Sequence, residues 1–105
     1  MSEIDFKQIE KDVVALANTL GVAYAQQGIR DGKAFLAETR DDLISLEQDR
    51  HDEVITEMEY QNGLREVRVL AKMEAIKEAG LAQVAIDNFT NGIINIVSKA
   101  AFAAM

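Results

Sequence analysis

Apolar residues return at alternating intervals of three and four from the start of the chain, at Phe6, Ile9, Val13, Leu16, Leu20 and Ala23. On a helix turning about 100° per residue this spacing draws one seam, whereas a half-buried strand needs a period of two. None of the 105 residues is proline, so the commonest helix breaker is missing throughout. Ala, Leu, Glu, Lys, Gln, Arg and Met, which lose least on entering a helix, fill the chain. The sequence therefore predicts an all-α chain of one domain, either an elongated helical hairpin or a three- to four-helix bundle with coiled-coil-like packing. A chain this short leaves roughly a third or more of its potential surface unburied, and assembly into an oligomer is the expected fate of the apolar faces left over.

Caps and glycines set the expected boundaries. Ser2 with Asp5, and Asp5 with Gln8, have the spacing of N-cap pairs, which starts the first helix near residue 3. From Gln26 to Gly32 the seam lapses and Gly28 and Gly32 read as a helix end and turn. Their Gly-x-x-x-Gly spacing would also admit a close helix contact, but Arg30 and Asp31 inside it favour the turn. Asn62 and Gly63 read as a left-handed stop. The expected helices are then roughly 3–27, 33–61, 64–79 and 81–104.

The whole net charge of −7 lies between Asp31 and Glu59, where ten acids outnumber Lys33, Arg40 and Arg50. Within the expected second helix, Leu36, Leu43, Ile44, Val54, Ile55 and Met58 share one side and the acids another. Asp49, Glu53 and Glu57 are four apart and repel one another by about a few tenths of a kcal/mol per pair. A solvated face accounts for them; docking of a basic protein partner is the functional alternative. Arg40, Glu47 and His51 interrupt the apolar side at helical spacing, which predicts a polar layer that fixes register. Glu47 and His51 also raise a metal-binding bundle. Di-iron bundles use Glu-x-x-His with further inward carboxylates, however, and His51 is the only histidine, so no metal or cofactor is expected.

The stretch 64–79 carries two apolar stripes, Tyr60, Leu64, Val67, Ala71 and Ala75 on one side and Val69, Met73, Ile76 and Gly80 nearly opposite, which calls for two neighbours. Tyr24 and Tyr60 read as packing residues with hydroxyls reaching water. The last 27 residues carry only Asp87 and Lys99 as charges. There Ala82, Ala85, Ile86, Phe89, Ile93, Ile96, Val97 and Ala100 share one arc, opposite amides and hydroxyls. A nearly uncharged polar face suits an enclosed place between packed subunits, so Phe89, Ile93, Ile96, Val97, Ala100 and Phe102 are the expected interface. Gly92 admits a bend.

Composition excludes several classes. Without cysteine there is no disulfide framework, thiol nucleophile or Cys-based metal centre. A pI near 4.6 with interleaved cations is unsuited to phosphate backbones, so no nucleic acid partner is expected. The acidic start lacks the features of a general signal peptide, which fits a cytoplasmic protein or one built into a larger particle. No phosphate loop, Ser-His-Asp set or paired-carboxylate site is present, so the chain is not expected to be an enzyme. The expected function is that of a self-assembling structural or scaffold subunit, a homo-oligomer held by helix–helix contacts. The alternatives are a membrane-active or pore-forming oligomer using the C-terminal helix, for which Asp87 and Asn91 are costly in lipid, and the metal-binding bundle.

Overall fold

The seam from Phe6 to Leu16 forms one face of a helix, and that helix ends sooner than its glycines suggest, leaving Leu20 and Ala23 in the turn that follows. The computed structural model describes residues 4–104, in which five helices follow in order: α1 (Phe6–Asn18), α2 (Ala25–His51), α3 (Glu57–Val69), α4 (Glu74–Glu78) and α5 (Gln83–Ala104). Asp5 caps α1 as its spacing to Gln8 implies, its Oδ1 accepting from the Gln8 amide at 3.0 Å. Ser2 and Glu3 lie outside the described residues. The chain leaves α1 through Thr19 and turns at Gly21, whose φ of +99° suits glycine.

The expected turn at residues 26–32 is therefore displaced to 19–24, and Gly28 and Gly32 are buried inside α2. Their missing side chains let α2 touch its neighbours. A Cβ on Gly28 would lie 3.2 Å from the Ala17 Cβ, and one on Gly32 would lie 2.8 Å from Val13 Cγ1 and 3.2 Å from Phe89 Cζ. The close-contact reading of the Gly-x-x-x-Gly spacing is the one that applies, because exposed Arg30 points away from the contact. Asp31, half-buried, has a separate task. Its two carboxylate oxygens accept from the Ala75 and Ile76 amides at 3.2 and 2.8 Å and so cap the five-residue α4 from another helix.

The later boundaries also move. α2 stops at His51, and the Val54 amide bonds the Asp49 carbonyl while the Glu53 amide bonds that of Arg50. This pair of bonds is a Schellman motif with Glu53 at the left-handed position, φ +59°. The same motif ends α4, from Leu81 to Ile76 and from Gly80 to Lys77, with a glycine at the left-handed position. Thr56 and Glu59 then form a capping box that opens α3, which runs through Asn62 and Gly63. A break at residues 70–73, with Met73 at φ +47°, divides the expected 64–79 helix in two. α5 begins two residues later than the expected 81–104 helix, shares its end, and continues through Gly92.

α1, α2 and α5 pack on one another, α3 and α4 lie against α2, and α4 also reaches α5. The core runs through Ile9, Val13 and Ala17 of α1, Phe35, Leu36 and Leu43 of α2, and Ile86, Phe89, Ile93, Ile94 and Val97 of α5, with Leu64, Val67 and Ile76 closing it. Thr39 and Thr90 are buried among them, their hydroxyls donating to the Phe35 and Ile86 carbonyls one turn back. The radius of gyration of 13.9 Å is near the ~13 Å of a compact chain this size. Of the two expected architectures the compact helical bundle is the one that forms, with five helices among the described residues where three or four were expected.

Three substitutions test these placements by urea denaturation. Gly32→Ala is expected to cost about 1–3 kcal/mol, since Val13 and Phe89 are fully enclosed and must shift. Gly63→Ala meets only the tip of half-buried Leu46 and should be neutral or gain up to ~1 kcal/mol of helix propensity. Glu53→Gly should stabilise the chain by about 1 kcal/mol through relief of the left-handed backbone.

Candidate functional site

Glu47 has the most specific surroundings of the residues singled out from the sequence. It lies on the inner face of α2, 7% exposed, and its carboxylate accepts a hydrogen bond from the Tyr60 hydroxyl on α3. A buried carboxylate left unpaired costs several kcal/mol, so this bond is what lets Glu47 stay inside. The Arg50 guanidinium stacks over the Tyr60 ring, 4.5 Å from its centroid, and bonds Glu57 at 2.9 Å. Together these contacts hold α2 to α3 across the break at residues 52–56. Burial of Tyr60, and next the hydrogen bond and charge of Glu47, push its phenol above the usual value; Arg50 acts the other way.

Arg40 and His51 do not join Glu47. Arg40 stacks on Phe6 of α1 at 4.6 Å and faces Asp41 at 3.6 Å. His51 is exposed where α2 ends, its Nδ1 3.1 Å from Asp52. The expected three-residue polar layer is thus not assembled, because the helix stops at His51 and α1 occupies the side on which Arg40 lies. Tyr60 was readable only as a packing residue. The available signal was Glu47 itself: an inward carboxylate needs an inward donor, and Tyr60 begins the apolar stripe of the next helix.

The expected interface divides in two. Phe89, Ile93 and Val97 belong to the chain's own core, while Ile96 and Ala100 are half-buried and Phe102 is 68% exposed. Ile96 and Ala100, with Ile9, Ala103 and Ala104, floor a groove of about 610 Å³ between α1 and α5. Asp5 and Asp12 stand on one rim and Lys99 on the other. The polar face of α5 is also engaged within the chain: Asn91 accepts from Arg68 Nε at 2.8 Å and Asp87 from Gln83 at 2.9 Å.

Three more clefts differ in charge. A groove of about 500 Å³ between α2 and α3 has Leu46, Val67 and Leu70 inside and Asp42, Asp49 and Glu66 around it. A smaller one beside Asp31 carries Glu38 and Glu74 against Lys72. The fourth, about 370 Å³ between α3, α4 and α5, gathers Arg68, Lys72 and Lys77 around Asp87. Among the described residues, no group of three or more His, Cys, Asp or Glu side chains is placed to hold a metal ion. No helix among them is long and apolar enough to cross a membrane. Comparison with protein-family models, curated proteins and solved structures returned no match.

The Glu47–Tyr60 bond generates a pH prediction. A phenol with a raised folded pKa contributes stability that is present below its unfolded value of about 10 and lost as pH rises through the folded value. In a Tyr24→Phe background, where Tyr60 is the only tyrosine, phenolate absorbance should rise with a midpoint above 10, and resistance to urea should fall over the same pH range. Tyr60→Phe, which strands the Glu47 carboxylate, should cost about 1–3 kcal/mol at neutral pH.

Proposed function

We propose that the chain is a non-enzymatic structural or scaffold subunit that self-associates by helix–helix packing, with the α1–α5 groove as its contact face. The observation that supports this reading is the groove's self-complementarity. A two-fold contact brings the same patch of both copies together, so each rim must satisfy the other. Asp5 at the start of α1, Asp12 on α1 and Lys99 on α5 provide opposite charges across one apolar floor. Ala100, Ala103 and Ala104 leave room for a second backbone. Phe102 lies about 60° around the helix from Lys99 and supplies an exposed aromatic anchor.

The α2–α3 groove supports a second contact of different chemistry. Its apolar interior and three surrounding carboxylates suit the apolar face and basic flanks of a partner protein's helix. In such an assembly the acidic side of α2 is a docking surface that weakens as salt rises.

Light scattering coupled to size exclusion tests self-association. The full chain should run as a discrete oligomer, and Phe102→Asp combined with Ala103→Arg should shift it to monomer with unchanged helical circular dichroism, since both positions are exposed. A wild-type chain that stays monomeric to several hundred micromolar, about a hundredfold above the concentration a micromolar contact requires, overturns the reading. Truncation before α5 does not serve, because it also removes Ile93 and Val97 from the core.

A further inference from the structure

We propose that the cleft between α3, α4 and α5 binds a small phosphate monoester that carries a neighbouring hydroxyl. The first ground is charge. In a chain of net −7, three of the four clefts described above are bordered mainly by carboxylates, and this one sets three cations against a single acid. Arg68 comes from α3, Lys72 from the link after it and Lys77 from α4, so three separate segments bring positive charge to one place. Among the described residues, none of the three has a carboxylate within ion-pair distance.

The second ground is positioning. Arg68 gives its Nε–H to the Asn91 Oδ1 on α5, which fixes the guanidinium plane at the cleft wall and leaves its two terminal nitrogens for an acceptor. A planar fork held in advance matches two oxygens of a phosphate, while the lysines add charge without directional demand. Less side-chain freedom is then lost on binding. A volume of about 370 Å³ lies in the range of small-molecule sites, roughly 300–1,000 Å³.

Asp87 selects the rest of the ligand. Its Oδ1 accepts from Gln83, which holds the carboxylate in place beside the cations, and among the described residues no other side-chain donor is bonded to it. A carboxylate so placed repels a bare anion and accepts a hydrogen bond from a hydroxyl. The preferred ligand carries both groups a few bonds apart, as a phosphorylated polyol or sugar does. The cleft shares no residue with the α1–α5 groove, so this site stands or falls apart from self-association.

Titration of the ¹⁵N-labelled full chain with glycerol phosphate, and separately with inorganic phosphate, at fixed ionic strength tests the proposal. Saturable shifts should centre on the amides near Arg68, Lys72 and Lys77 and on the Asn91 and Gln83 side chains. Arg68→Gln and Lys72→Gln, both exposed and outside the core, should each weaken glycerol phosphate binding about tenfold or more. Asp87→Asn should weaken glycerol phosphate and tighten inorganic phosphate. Shifts that fail to saturate, spread over the whole surface, or survive both cation substitutions overturn the site. An equal gain for both probes in Asp87→Asn overturns the assignment of a hydroxyl-bearing ester.

Discussion

The approach of α2 to α1 and α5 at Gly28 and Gly32 is the constraint on which the other placements depend. With hydrogen in place of a side chain, α2 sits against Ala17 and Val13 of one neighbour and Phe89 and Ile93 of the other within little more than one turn. From that point its inward residues Phe35, Leu36, Thr39 and Leu43 follow the helix period down the length of the core. A larger residue at position 32 would separate all three helices at once, since close-packed interiors have no spare volume to absorb it. The same turn carries Asp31, so the position of α4 follows from the contact that sets α1 and α5.

How far this could be read from the sequence depends on what kind of signal each residue gives. Periodicity identified the inward faces of the first and last helices, where Ile9, Val13, Ile86, Phe89, Ile93 and Val97 are all buried, but not the middle of the chain, where Val54, Met58 and Val69 of the expected apolar stripes are exposed. Breaks were harder, because glycine has two opposite uses. At positions 21 and 80 it adopts a left-handed backbone, whereas at 28 and 32 it removes bulk from a continuous helix, and the residue type alone does not distinguish them. Two of the true breaks carry no glycine at their left-handed position, Glu53 after α2 and Met73 before α4, so tertiary packing overrode local preference there. The Thr56–Glu59 capping box was a local signal in plain view that the apolar residues at 54, 55 and 58 obscured.

The candidate site was less legible than the fold, because it is made of residues from different helices. Glu47 was recognisable as an inward acid, but its pairing with Tyr60 depends on a chain reversal between them that no spacing rule supplies. The expected interface along α5 was half consumed by the chain's own core, and of its residues only Ile96, Ala100 and Phe102 keep surface to offer. The cationic cleft was invisible in a segment whose signs alternate, since Arg68, Lys72 and Lys77 converge only after the break at residues 70–73 folds α4 back toward α5.

The cap that Asp31 provides has a consequence for the order in which the molecule opens. A helix of five residues has too few internal bonds to persist alone, and its first-turn amides at Ala75 and Ile76 are held by a carboxylate more than forty positions earlier in the chain. Those two amides lose their partner when α4 lifts from α2, so their exchange with solvent reports that detachment when it precedes general unfolding. Lifting α4 also withdraws Lys77 from its cleft and bares Ile76, which otherwise has no exposed surface. One end of the bundle is thus tied to its central helix by a single carboxylate together with the buried side chains of Met73 and Ile76.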